Sequence, residues 1–342
     1  MFAEIPAVPV IDAVDRARFE AEIVEGGRPV VLRGLVADWP MVKAARTSDE
    51  AFVGLLRGLD VGKPVSAFEG APEIGGRFFY SDDLKGFNFE RITLPFGELL
   101  DRLLAMRGET APAGLYAGAI PGPTHLPGLL DTAPMPLLDP AVERLTSLWI
   151  GNRTRTAAHW DLSRNLACVV AGRRRFTLFP PDQIANLYVG PVDFTLAGQP
   201  ISLVDFAEPD LERFPRFEEA LRHARVAELE PGDALFVPGL WFHHVEGLEP
   251  FGALVNFWWR EAPPWAFTPS HTMLHALLTL RDLPDDERAA WRAFFDHYIF
   301  RPDAAADDPM AHIPLDARGL YGPMTPQTMA RLKATLMRPL SR

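Results

Sequence analysis

The sequence predicts a mainly β fold, a barrel or sandwich, with helices ahead of it and a helical segment after it. Short apolar runs punctuated by Pro and Gly turns crowd the stretch from Asn165 to Trp259, as expected of several short strands at close spacing. On either side, apolar residues recur every three or four positions instead, which is the helical period. Of 342 residues, 48% are hydrophobic and 23% charged. That is the balance of a folded chain rather than a disordered one, and the length suffices for a full core and a smaller appended unit.

Taken in order, Thr47-Ser-Asp-Glu50 reads as a capping box ahead of Phe52, Leu55, Leu56 and Leu59. Phe96, Leu99, Leu100, Leu103 and Leu104 mark a second helix. Asn165–Ala171 and Arg175–Phe179 read as strands joined by a turn through Gly172. Val226–Leu229 and Ala234–Val237 read as a second hairpin around Pro231-Gly232-Asp233, and Phe251–Trp259 as a further buried strand. Ala262-Pro-Pro-Trp265 looks like a break, dividing the chain into residues 1–262 and 263–342. Three apolar-striped helices are expected beyond it. The first carries Met273, Leu274, Leu277 and Leu278, the second Trp291, Phe294, Phe295 and Tyr298. The third, with Met329, Leu332 and Leu336, opens on Thr325 as N-cap and Pro326 in the first turn.

The chemistry concentrates in His159-Trp160-Asp161 and, 82 positions after Asp161, His243 within Pro238-Gly-Leu-Trp-Phe-His-His-Val245. Side chains alternate along an extended segment, so His159 and Asp161 point the same way. A His from a distant strand would complete two imidazoles and one carboxylate on one face of a metal. That arrangement leaves positions open for a cosubstrate and O₂, which suits non-haem Fe(II). His243 and His244 compete for the third place and, in strand register, point to opposite faces.

The order of these features resembles the Jumonji-C/cupin-like 2-oxoglutarate oxygenases. Phe179-Pro-Pro-Asp-Gln183, Val204-Asp-Phe-Ala-Glu-Pro-Asp210, Arg213-Phe-Pro215, Pro231-Gly-Asp233 and Val255-Asn-Phe-Trp258 are similar to the branch containing the asparaginyl hydroxylase of hypoxia-inducible factor. Arg28-Pro-Val-Val-Leu-Arg-Gly34 with Trp39-Pro40 resembles the entry segment of that branch. The likeness spans most of residues 25–260. It implies a double-stranded β-helix (cupin or jelly-roll) core and an Fe(II)- and 2-oxoglutarate-dependent dioxygenase that uses O₂ to hydroxylate a C–H bond, with succinate and CO₂ as coproducts. It places the third metal ligand five residues after the proline, at His243. It puts Arg174, where much of the family has lysine, against the distal carboxylate of 2-oxoglutarate. Arginine keeps that chemistry through a bidentate pair. Tyr116 would cap the same carboxylate, and Thr156, Asn165 and Asn256 would hydrogen-bond the cosubstrate. Alternation alone does not say which of Arg173, Arg174 and Arg175 points inward. By the same likeness Phe79 and Tyr80 should line the entrance. The apolar C-terminal helices must bury their faces either on the barrel or, as in the related hydroxylase, against a second subunit, and a homodimer is the expectation.

The substrate is expected to be a protein or peptide side chain. The positions with which the asparaginyl hydroxylase grips its target are Gly118, Pro200 and Ile201 here, so a small metabolite or modified nucleoside stays open, as does a barrel that binds a metal or ligand without oxygenase activity. A net charge of −11 argues against an extended nucleic-acid surface. The one basic cluster, Arg153, Arg155 and Arg173–Arg175, adjoins the candidate site. The single Cys168 excludes an intramolecular disulfide and fits a reducing compartment. Neither a signal peptide nor a membrane span is visible, and a cytoplasmic location is expected. There is no Walker loop, nucleophile elbow or C-x-x-C. His271 and His275 lie four apart without the Glu of a zinc protease, and read as helix-surface or interface histidines.

Overall fold

The computed structural model describes residues 5–263, 265–300, 308 and 310–340; Pro264, within the expected break, lies outside them. The chain forms two compact units, Met1–Glu261 and Ala262–Arg342. In the first, fourteen strands are present among the described residues. They are β1 (Val10–Ile11), β2 (Val30–Leu32), β3 (Pro64–Gly70), β4 (Arg77–Phe78), β5 (Glu90–Pro95), β6 (Gly114–Pro121), β7 (Arg144–Gly151) and β8 (Arg155–His159). After them come β9 (Arg164–Ala171), β10 (Arg174–Phe179), β11 (Arg225–Leu229), β12 (Ala234–Val237), β13 (Phe242–Gly247) and β14 (Gly252–Trp259). One sheet has the order β1-β2-β12-β9-β14-β7-β6-β3-β5 and the other β11-β10-β13-β8-β4. This is the sheet-rich, jelly-roll type of cupin core, with flanking helices.

Strand alternation sorts the side chains into layers. On β9, Leu166, Cys168 and Val170 join the helix-side core with Phe19, Phe52, Leu56, Phe96 and Leu103. Ala167 and Val169, alternating with them, pack between the sheets with Phe176, Leu178, Leu229 and Leu235. Both faces of the central strands are therefore buried, which is why Asn165–Ala171 reads as a continuous apolar run rather than an alternating one.

Two turns do not make the hairpins their sequences suggest. β9 pairs with β12 and β14, whereas β10 pairs with β11 and β13, so Gly172 carries the chain from one sheet to the other. Its φ is +64°, and a Cβ there would lie 2.5 Å from the Phe251 carbonyl oxygen; only glycine fits. Pro231-Gly232-Asp233 likewise crosses between sheets, from β11 to β12. The buried Asp233 carboxylate accepts from the backbone N–H of Gly34 and Glu230, at 2.9 Å each. The capping box also shifts by one residue. Ser48, not Thr47, caps Asp49–Leu59, its hydroxyl accepting from Ala51 N–H at 3.1 Å. Thr47 ends the preceding helix, Pro40–Thr47, and Glu50 pairs with Arg107.

The second unit contains helices Pro269–Thr279, Asp285–Phe295 and Pro326–Leu340. Thr325 accepts from Thr328 N–H at the start of the last. Phe267, Leu278, Ile299, Phe300 and Met337 are exposed, as is His271, while His275 is half-buried. No helix among the described residues is long and apolar enough to cross a membrane.

Candidate metal centre

His159 ends β8 and Asp161 follows in the loop beyond it, while His243 lies on β13, the neighbouring strand. His243 pairs in register with His159, and their ring centroids are 4.3 Å apart. The Asp161 carboxylate lies 3.5 Å from His243 Nε2. One ligand atom from each of the three falls within 4.8 Å of the others. The two loops are tied together as well, since Leu240 N–H donates to the Asp161 carbonyl at 2.7 Å.

The two histidines of this group share one tautomer. His159 Nδ1 lies 2.9 Å from the Ala157 carbonyl, and His243 Nδ1 lies 3.0 Å from that of Trp241. Each Nδ1–H donates to a carbonyl two residues earlier, leaving the Nε2 lone pair for a cation, as a carbonyl partner does for metal-ligating imidazoles. Burial, reinforced by the neighbouring His243, pushes His159 down to about 4. Burial also disfavours a charged His243, but the hydrogen bond and charge of Asp161 outweigh it and raise its pKa. His243 in turn overcomes the burial of Asp161 and holds that carboxyl below its ordinary range. His244 points to the other face of β13, stacked on Phe206 at 4.6 Å. Burial and the Arg155 charge push it down to about 3.

A pocket of about 50 Å³ behind the triad is lined by Tyr116, Thr156, Asn165, Arg174 and Asn256, together with Trp149, Phe176, Val245 and Trp258. Arg174 is buried and faces the pocket. Its neighbours turn outward, Arg173 to Glu249 at 2.8 Å and Arg175 to Glu228 at 2.9 Å. Arg155 leans toward Asp205, and Arg153 donates to the Leu248 carbonyl, so the basic cluster of the sequence is divided between the pocket and paired surface positions. Thr156 enters the same pocket as His159 although they lie three positions apart, a spacing that puts side chains on opposite faces of a regular strand. The register between β8 and β13 shifts here: His243 faces His159 but Val245 faces Thr156. The extra residue on β8 is a bulge, which re-aims a side chain next to a site.

Several polar atoms of this pocket have no partner although they are buried: Asn165 Oδ1, Arg174 Nε, Asn256 Nδ2 and Trp258 Nε1. Buried polar groups are satisfied as a rule, so three N–H donors left free around one small pocket match a ligand rich in acceptor oxygens. Burial lowers the Arg174 pKa and the nearby Tyr116 hydroxyl partly restores it. Burial raises the Tyr116 phenol, opposed by Arg174. The donor set therefore fits a keto acid carrying two carboxylates, with the buried Arg174 as the cation of the pocket.

A second cavity, of about 410 Å³, meets the first at His159, Asp161, Thr156, Tyr116, Trp149 and Trp258. Phe68, Phe78, Gly118, Arg91 and the segment Leu196–Gln199 with Ile201 also line it. Phe79 and Tyr80, expected at the entrance, line a different cavity with Arg77, Arg155 and Asp205. The pairing of β4 with β8 turns Phe78 toward the metal centre and its neighbour away. Trp149 and Trp258 are not among the expected site residues, although Trp258 closes the Val255-Asn-Phe-Trp258 motif. Trp258 stands two residues beyond Asn256 on one strand, a spacing that could have found it; for Trp149 there is no signal without the pairing of β7 and β14.

Residues 16–264 match the family model described as a cupin-like domain. The chain belongs to that family. The cupin-like family with JmjC-type members is one of Fe(II)- and 2-oxoglutarate-type oxygenases. A zebrafish (Danio rerio) tRNA wybutosine-synthesizing protein 5 is 30% identical over 287 residues, covering 75% of this chain and 76% of that protein. The Arabidopsis thaliana lysine-specific demethylase JMJ31 is 27% identical over 292 residues, covering 75% of this chain and 50% of that one. Human HSPB1-associated protein 1 is 39% identical over 115 residues, covering 33% of this chain and 23% of its own length. This cupin-like chain thus spans half of the Arabidopsis relative and about a quarter of the human one.

Proposed function

We propose that this cupin-like protein is an Fe(II)- and 2-oxoglutarate-dependent oxygenase that hydroxylates a C–H bond, with a protein side chain as its substrate. The observation that carries this reading is the set of unpartnered buried donors beside an open two-His, one-carboxylate face. His159 and His243 would hold iron through Nε2 and Asp161 through its carboxylate. Arg174, with Tyr116 beside it, would take the distal carboxylate of 2-oxoglutarate. Thr156, Asn165 and Asn256 would orient its other end. When bound, iron, 2-oxoglutarate and O₂ supply the oxidation: the keto acid becomes succinate and CO₂, one oxygen atom entering succinate and the other turning R–H into R–OH.

The chain's own contribution is orientation and exclusion of water. The Nδ1–H bonds to Ala157 and Trp241 hold both imidazoles in the ligating tautomer. The aromatic wall of Phe68, Phe78, Tyr116, Trp149 and Trp258 encloses the larger cavity, where a substrate group would approach the metal from the side away from Arg174. The relatives' names cover a lysine-specific demethylase and a tRNA wybutosine-synthesizing protein, so a modified nucleoside is the second substrate class to assay.

Anaerobic titration with Fe(II) and 2-oxoglutarate tests the binding step through the charge-transfer band of the chelated complex. Succinate release across candidate peptides, metabolites and nucleosides, with mass spectrometry for a gain of one oxygen, tests the reaction. A protein that binds the metal but neither develops the band nor releases succinate is a metal-binding barrel instead.

A further inference from the structure

We infer that Trp149 is a positioning residue for 2-oxoglutarate: its indole N–H fixes which end of the Asn256 amide faces the pocket. The inference rests on the function proposed above and extends it to a residue outside the expected site.

Asn256 sits in the middle of β14, 1% exposed, where an unpaired amide is costly. Trp149, on β7, pairs with Leu254, so Asn256 is its diagonal neighbour across the two strands. The Trp149 Nε1–H donates to Asn256 Oδ1 at 2.7 Å. An asparagine amide has two ends of nearly the same shape, and only its partners decide which way it lies. An indole nitrogen can donate and never accept, so it must meet the oxygen. The opposite end of the amide is then Nδ2, which has no protein partner and belongs to the lining of the small pocket. Reversed, the amide would set its oxygen toward a carboxylate and leave two donors, indole and NH₂, against each other.

The indole is itself held. It packs edge-on against Trp258, centroids 5.5 Å apart, and lies 6.2 Å from the Tyr116 ring. Gly118 leaves the space for it: a Cβ there would come within 2.7 Å of the Trp149 ring. Trp149 is among the residues that line both cavities, and its N–H orients the donor on the side of the smaller one.

The test is equilibrium binding of 2-oxoglutarate to protein loaded with redox-inert Mn(II), measured by titration calorimetry on four proteins: wild type, Trp149→Phe, Asn256→Leu and the double variant. Trp149→Phe should weaken binding roughly tenfold, in line with the loss of one oriented hydrogen bond to a charged group. In the Asn256→Leu background the same change should do less than about twofold, because there is no amide left to orient. A merely structural role for the ring predicts independent, multiplying losses, and that result overturns the inference, as does unchanged binding in Trp149→Phe. If Trp149→Phe does not fold, benzothienylalanine at that position alone keeps the ring's shape and removes the N–H. Wild-type protein that binds Mn(II) without binding 2-oxoglutarate overturns the proposed function instead, and is seen before any variant is compared.

Discussion

His159 and His243 stand opposite each other on adjacent strands, and each donates its Nδ1–H to the carbonyl two residues before it. The two Nε2 atoms are thereby presented to one point, with the Asp161 carboxylate as the third corner. His244, next in sequence, projects through the other side of the sheet onto Phe206. His243→Ala should therefore abolish Fe(II) binding, whereas His244→Ala should leave the metal stoichiometry intact while costing stability through lost packing. Metal content by inductively coupled plasma spectrometry separates the two. Loss of metal in His244→Ala alone would reverse the assignment.

Protons should compete with the metal at His243. Asp161 holds the protonated form of this imidazole in the metal-free protein to a higher pH than usual, while His159 stays neutral until about 4. Because its folded pKa is raised, His243 contributes stability to the metal-free protein that is present below the unfolded pKa and fades as pH rises through the folded one. Metal binding requires the neutral ring and releases that proton. The gain in Tm on adding metal should accordingly grow between about pH 6 and pH 8. A gain independent of pH across that interval would remove His243 from the ligand set.

Arg174 is the inward member of three consecutive arginines, and its Nε lacks a protein partner. Losing a charge-assisted pair in a buried pocket costs roughly 2–5 kcal/mol. Arg174→Ala should raise the 2-oxoglutarate concentration needed for half-saturation by an order of magnitude or more. Arg173→Ala, which breaks only an exposed pair with Glu249, should leave it unchanged. Equal small effects from both would remove the pocket role.

Gly172 makes the passage between the sheets at φ +64°, 2.5 Å from the Phe251 carbonyl oxygen when a Cβ is added. Gly172→Ala should destabilise the protein by roughly 2–4 kcal/mol, from backbone strain and overpacking together. Denaturant unfolding of the metal-free protein reads this directly. A loss below about 0.5 kcal/mol would mean the crossing tolerates a side chain.

The C-terminal helices leave Leu278, Leu336 and Met337 exposed, and they are the surface on which the expected homodimer would form. Leu336→Asp should convert a dimer to a monomer in sedimentation velocity while metal binding persists. A wild-type monomer at micromolar concentration would end the dimer expectation.

Local chemistry made much of this protein legible in advance. The two-residue repeat of an extended segment announces that Asp161 points the same way as His159, although Asp161 itself falls just past the end of β8, and Thr325-Pro326 opens a helix because a hydroxyl and a fixed φ suit its first turn. The apolar run of β9 announces a strand, and that of Phe251–Trp259 a buried one. Other features depend on which strand lies beside which. Gly172 and Pro231–Asp233 spell tight turns whether the next strand joins the same sheet or the opposite one, and here both change sheets. The bulge that brings Thr156 into the pocket with His159 exists only in the pairing of β8 with β13. Arg174, rather than Arg173 or Arg175, points inward because β10 is clasped between β11 and β13 in one register. Trp149 meets Asn256 only through the pairing of β7 with β14, across 107 residues of chain. Sequence sets the conformations each segment prefers; long-range strand pairing, whose energy is spread over many backbone bonds and a shared core, selects the faces those segments turn toward one another.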